Sequence, residues 1–217
     1  FTAGSAPLLP QTFAEFESRT GHTIVERYGM TETSMNTSNP LEGIRKAGTV
    51  GPPLPDVSCK VVDNKGTEVG TGETGNLLVK GGNVFKGYWQ MPEKTKEEFT
   101  EDGYFKTGDL ASCDEDGYIS IVGRNKDMII TGGLNVYPRE IEECIDKLDG
   151  VQESAVIGLS DDDFGEAVTA IVVLTKDSNL DAQSITAYLK DTVANFKVAR
   201  KVYFLDELPR NTMGKVQ

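Results

Sequence analysis

Ala167-Val168-Thr169-Ala170-Ile171-Val172-Val173-Leu174 carries apolar side chains at odd and even positions alike. A strand of that composition has no face to offer to water, so it belongs inside a sheet with both sides covered. The neighbouring sequence supplies the cover. Pro138 opens a helix with Glu140, Glu142 and Glu143 in its first half and Lys147 near its end. Its apolar stripe is Ile141, Cys144, Ile145 and Leu148, and Gly150 stops it. Asp181 caps a second helix with the stripe Ile185, Tyr188, Leu189, Val193 and Phe196. Residues 151–157 and 202–205 read as further strands. This mixture predicts a small α+β domain.

The texture upstream is different. Residues 12–20 predict a short helix and residues 23–27 a strand. From residue 43 to 121 short β-branched runs, at 57–61, 75–80 and 118–122, are set off by Gly, Pro and Asp turns. That spacing predicts a small β-subdomain, a distorted barrel. The seam falls near Lys126, giving an α+β chain of two units, residues 1–125 and 126–217.

Composition removes several function classes. With 38% apolar and 26% charged residues among 217, the chain can bury a core and is not globally disordered. The net charge of −12 leaves no basic stripe for a nucleic acid or an anionic membrane. It leaves ATP or CoA open, because a few local donors hold such anions. Cys59, Cys113 and Cys144 have neither metal nor disulfide spacing, so a reducing, cytoplasmic setting is expected. A single His22 disfavours a multi-histidine metal site or a Cys/His pair. No apolar run is long enough to span a bilayer, and no signal-like segment is visible. The start at Phe1 and the stop at Gln217 suggest an excerpt of a longer protein.

Five short segments could carry chemistry. In Tyr28-Gly29-Met30-Thr31-Glu32-Thr33 a strand runs into a glycine turn bearing hydroxyls and one carboxylate. Gly29 would admit a ligand close to the backbone, Thr31 could donate to a phosphate, Glu32 could hold Mg²⁺, and Tyr28 offers a flat face for a base. On spacing alone a plain polar turn with Glu32 in solvent is the better reading. In Tyr104-Phe105-Lys106-Thr107-Gly108-Asp109 the acid after a Thr-Gly turn could bridge two ribose hydroxyls, or be an ordinary turn Asp. Gly123-Arg124-Asn125-Lys126-Asp127 is a charged junction, either a solvated linker or a hinge. Pro209-Arg210-Asn211-Thr212-Met213-Gly214-Lys215 is a stiff loop ending on a lysine, which alone usually means surface. Thr131-Gly132-Gly133-Leu134-Asn135 looks like an anion-cradling glycine loop but lacks a Gly-x-x-x-x-Gly-Lys pattern.

The order of these motifs is far more specific than any one of them. The chain resembles the AMP-forming acyl-CoA synthetases, a branch of the adenylate-forming enzymes, over essentially its whole length. The resemblance implies the end of a large N-terminal domain, residues 1–125, followed by a small mobile C-terminal domain, residues 126–217. It implies that Ser5, Ala6 and Pro7 line an adenine pocket with Tyr28 on the base, and it places Gly29 and Met30 in the same ATP-binding motif. Thr31 would touch the α-phosphate, Glu32 would carry Mg²⁺, and Asp109 and Arg124 would hold the ribose. Lys126 would be the hinge and Gly133 would line the path of CoA. Lys215 would bridge the acyl carboxylate and the α-phosphate.

Ser34-Met35-Asn36-Thr37-Ser38-Asn39-Pro40 and Asn83-Val84-Phe85-Lys86-Gly87-Tyr88-Trp89 resemble the malonate-using members. Malonate needs a cation for its distal carboxylate. Arg45 and Lys46 are the candidates here, although the resemblance places that charge upstream. No phosphate loop of the family is present, so the 217 residues alone are expected not to turn over. A carrier-protein-loading adenylation domain shares most of these motifs, as does a synthetase for another short or medium acid. A non-catalytic module is a third reading, though Glu32, Asp109, Arg124 and Lys215 are all retained.

Overall fold

The computed structural model describes residues 1–4, 6, 8–212 and 214–217. The chain separates into two compact units, Phe1–Asn125 and Lys126–Gln217.

In the first unit, β1 (Thr2–Ala3) leads to α1 (Pro10–Thr20), which begins with proline at its first turn and ends on Gly21 at φ 69°. β2 (Val25–Met30) lies parallel to β1 and antiparallel to β3 (Ser34–Ser38). Residues 34–38 therefore form a strand, with Asn36 and Thr37 buried. A second sheet is built from β4 (Val57–Val62), β5 (Gly75–Gly81), β6 (Phe105–Cys113) and β7 (Ile119–Arg124), with α2 (Pro92–Glu98) between β5 and β6.

These four strands pair antiparallel in the order β4-β5-β6-β7. The expected barrel is thus an open meander. Closure demands a tilt and stagger that about eight strands can supply and four do not. Alternation along β5 puts Leu77 and Val79 into one apolar cluster with Ala111 and Ile119, and Leu78 into another with Val62 and Tyr104.

The second unit starts in a 3₁₀ turn, Asn125–Asp127, whose first residue belongs to the unit before. β8 (Ile129–Thr131) and β9 (Leu134–Val136) form a hairpin across Gly132 and Gly133, both at positive φ (57° and 78°). A two-residue turn of that hand matches strand twist and favours glycine at both positions. α3 (Pro138–Ile145), β10 (Val151–Asp161), β11 (Gly165–Leu174), α4 (Ala182–Thr192) and β12 (Lys201–Leu205) follow.

The doubly apolar run is β11, and it is central. It pairs antiparallel with β10 along its length, meets β8 at Gly165, and takes β12 in parallel from Thr169. Its Val168, Ala170 and Val172 pack with Ile141 and Ile145 of α3 and with Ile185 and Leu189 of α4. Burying each such Leu or Ile contributes about 1.5–3 kcal/mol relative to exposure.

Both helices stop sooner than their stripes predict. After Ile145 the backbone tightens: Lys147 N–H bonds the Cys144 carbonyl and Leu148 N–H the Ile145 carbonyl, three residues back. Lys147 and Leu148 thus follow the helix instead of ending it. α4 is capped by Asp181, whose side chain accepts from Ser184 N–H, but Val193 is already extended and Phe196 sits in a separate 3₁₀ turn, 37% exposed.

Candidate functional site

In the first unit Tyr28, Asp109 and Arg124 meet. Their positions are set by strand pairing: Asp109 of β6 faces Arg124 of β7 in register. Opposite β5 the register slips, so residues 107–109 stand against Leu77 alone. Gly108, at φ 74°, absorbs this bulge. Thr107 Oγ1 donates to the Leu77 carbonyl at 2.8 Å and accepts from Asp109 N–H at 3.1 Å. The Thr-Gly-Asp segment is therefore a bulge within a strand, where the sequence predicted a turn. It brings in a carboxylate only 6% exposed.

Tyr28 OH donates to Asp109 Oδ2 at 2.5 Å, and Arg124 Nε lies 3.3 Å from Asp109 Oδ1. Burial, then the Asp109 charge, push the Tyr28 phenol well above its ordinary range, so it stays a donor. Arg124 is half exposed, whereas the acid it faces is buried.

Gly29 is not in the turn. It lies within β2, opposite Met35, and a Cβ there would stand 1.9 Å from the Ser34 carbonyl oxygen. The glycine is required by close approach of β3, where the sequence reading assigned it to a ligand. Gly29→Ala is expected to cost about 1–3 kcal/mol by overpacking against backbone. Hydrogen exchange should show lost protection in β2 and β3 with β10 and β11 unchanged.

Met30 ends β2 with its sulfur 3.9 Å from Tyr28 OH, Thr31 is exposed, and Glu32 is half buried. Glu32 is held at both ends: its carbonyl accepts Phe85 N–H at 2.7 Å and its Oε1 accepts Tyr88 OH at 3.2 Å. Ala6 is an exposed bend, and Ser5 and Pro7 lie outside the described residues. Among the described residues no three His, Cys, Asp or Glu side chains gather as metal ligands would. A lone carboxylate suits magnesium, which keeps waters and substrate phosphates as its other ligands.

Arg45 and Lys46 are both committed to the chain itself. The Arg45 guanidinium donates to the carbonyls of Pro40 (3.0 Å), Thr23 (2.7 Å) and Leu41 (2.7 Å) and to Thr23 Oγ1 (3.0 Å). Lys46 Nζ sits 2.6 Å from both Asp114 and Asp116 and 4.5 Å from the Tyr118 ring centre. Those two carboxylates raise its ammonium pKa. Neither cation is placed to take a second substrate carboxylate.

The second unit carries the other candidates. Lys126 is exposed in the 3₁₀ turn. Gly133 is at the hairpin tip with open space around its Cα, while Gly132 N–H donates to the Phe164 carbonyl at 2.8 Å. The Phe164 ring lies 3.6 Å beneath the Arg200 guanidinium, a pairing without a sequence signal. Lys215 is exposed on a fixed loop. Its N–H donates to Asn211 Oδ1 at 3.0 Å and its carbonyl accepts Asn211 N–H at 2.9 Å, while Arg210 pairs with Glu153.

Residues 1–89 match the family described as AMP-binding enzyme, and residues 140–215 match the AMP-binding enzyme C-terminal domain. The chain belongs to the AMP-binding enzyme family. It is similar to a malonate–CoA ligase of Arabidopsis thaliana, 44% identical across 99% of this chain and 36% of that protein. It also resembles a long-chain-fatty-acid–CoA ligase of Escherichia coli, 40% identical over 99% of this chain and 38% of the relative. Among solved structures, ATP-bound MatB from Rhodopseudomonas palustris superposes with a TM-score of 0.98 at 57% identity, covering all of this chain and 43% of that one. The chain thus spans about two fifths of the length of these relatives. Among the described residues no helix is long and apolar enough to cross a membrane.

Proposed function

We propose that the protein uses ATP to activate a carboxylic acid, malonate, as an acyl adenylate and then passes the acyl group to CoA. The observation that carries this reading is the buried Asp109 carboxylate held between Tyr28 and Arg124. Tyr28 presents its ring to adenine, and Ser5, Ala6 and Pro7 are assigned to the same pocket by their place in the motif order. Asp109 and Arg124 hold the ribose, and Thr31 donates to the α-phosphate. Glu32 would hold Mg²⁺, which would supply neutralising charge to the phosphates.

A substrate carboxylate oxygen bonds to the α-phosphorus as the bridging oxygen bond to pyrophosphate breaks. Two anions must approach, so Lys215 acts by placing an ammonium between them. The CoA sulfur then bonds to the acyl carbon, and AMP leaves with the former carboxylate oxygen. Lys126 is the hinge that turns the second unit between these half-reactions, and Gly133 passes the pantetheine arm. Similarity to a malonate–CoA ligase supports the choice of acid. Arg45 and Lys46 are occupied, so neither supplies the cation for the distal carboxylate.

The full-length protein is expected to give a higher kcat/KM with malonate than with acetate, octanoate or an aromatic acid, measured as AMP formed. A monocarboxylate that surpasses malonate overturns the acid and leaves acyl activation standing.

A further inference from the structure

We infer that Tyr88 is a positioning residue for Glu32, fixing which carboxylate oxygen is left to face a metal; this rests on the assignment of Glu32 to magnesium above. The segment from Asn83 to Tyr88 makes several ties to the turn around Glu32. Tyr88 OH donates to Glu32 Oε1 at 3.2 Å. Phe85 N–H donates to the Glu32 carbonyl at 2.7 Å. Asn83 Nδ2 serves the Thr33 carbonyl at 2.7 Å, the Met35 carbonyl at 3.2 Å and Asn36 Oδ1 at 3.0 Å.

The backbone on the C-terminal side of Glu32 therefore has little freedom. Thr33 and Asn36 are fully buried, so neither can relax into solvent. What remains free is the Glu32 side chain, which has several staggered rotamers of similar energy. A donor at a fixed point selects among them, and the Tyr88 hydroxyl is such a point. Its ring stands edge-on to Phe85 with centroids 4.8 Å apart, and its N–H is held by Thr95 Oγ1 at 2.9 Å. Tyr88 binds Oε1 and leaves Oε2 unengaged by its hydroxyl. The Asn83 amide is accommodated for the same end: a Cβ on Gly81 would sit 2.4 Å from Asn83 Oδ1.

A hydrogen bond onto a ligating carboxylate orients it and tunes its basicity, and losing such a partner typically weakens metal binding about 10–100-fold. The test uses Mn²⁺ as a paramagnetic substitute, with binding to the full-length protein and ATP followed by electron paramagnetic resonance. Tyr88→Phe keeps the ring and removes the hydroxyl. It is expected to weaken Mn²⁺ binding by about tenfold, with ATP affinity in EDTA unchanged. Placed on Glu32→Gln, the same change should add nothing.

Unchanged Mn²⁺ affinity in Tyr88→Phe, beside a weakened Glu32→Gln, overturns the positioning role and spares the magnesium assignment. If Glu32→Gln itself leaves Mn²⁺ binding intact, that assignment fails and the inference falls with it. Should Tyr88→Phe merely loosen the fold, Mn²⁺ binding will drop in the Glu32→Gln background too, which also overturns the role.

Discussion

Lys215→Ala in the full-length protein is expected to slow ATP–pyrophosphate exchange with malonate about 10²–10³-fold, roughly 3–4 kcal/mol of barrier. The same variant should convert supplied malonyl adenylate and CoA to malonyl-CoA at close to the parent rate. The split follows from where charge must be neutralised. In the proposed reaction two anions meet only while the adenylate forms, and the lysine acts at that meeting point. The loop itself should survive the change. Its bonds to Asn211 use the backbone of residue 215, and its anchor is the Arg210–Glu153 pair. Lys215→Arg should rescue poorly, because a planar guanidinium does not replace a compact ammonium on that stem. Equal slowing of both half-reactions would mean that Lys215 holds structure or serves one static site.

Glu142→Gln should stabilise the second unit at pH 8 by roughly 2–3 kcal/mol and by only about 1 kcal/mol at pH 5.5. Glu142 of α3 accepts Val156 N–H at 2.8 Å, and burial raises its pKa to about 7, with the charges of Asp146 and Glu143 adding to the shift and Arg139 opposing it. Asp146, bonded by Ser154 Oγ at 2.7 Å, is raised by burial to about 6, with Glu153 and Glu143 adding. Both acids are raised, so the folded unit binds more protons than the unfolded chain between roughly pH 4 and 7. Stability is therefore greater on the acid side of that window and falls as pH rises through it. A glutamine keeps the acceptor for Val156 and removes the charge. Denaturant unfolding of the 217-residue chain at the two pH values reads the difference. A pH dependence equal to the parent's would mean that Glu142 is solvated enough to ionise without cost.

The elements legible in the sequence are those whose cause is local. β11 announces itself by composition, α4 by Asp181, and α3 by Pro138. β3 does not, because Asn36 and Thr37 are polar and become buried through distant partners: Thr37 Oγ1 donates to the Val50 carbonyl at 2.8 Å. The bulge at Gly108 is likewise decided by pairing with Leu77, thirty residues away. The site divides in the same manner. Glu32, Asp109, Arg124 and Lys215 could be picked out only through the order of their motifs, since each segment alone reads as an ordinary turn, linker or surface loop. Tyr88 lies 56 residues from Glu32 and has no pattern to betray it. Arg45 was misleading for the converse reason, because its donors are consumed by carbonyls that composition does not reveal.

The parallel pairing of β12 with β11 sets an order on synthesis. Residues 169–173 receive their second neighbour only from residues 201–205, after α4 has crossed over. Until those residues leave the ribosome, one edge of β11 is bare from Thr169 onward. The bare stretch, Thr169-Ala170-Ile171-Val172-Val173, is rich in β-branched residues and lacks both charge and proline, the composition of a segment that pairs with copies of itself. A nascent chain stalled between residues 175 and 200 would therefore be sticky in a way the finished sheet is not. By pairing with Thr169–Val173, β12 thus covers an aggregation-prone edge of its own domain.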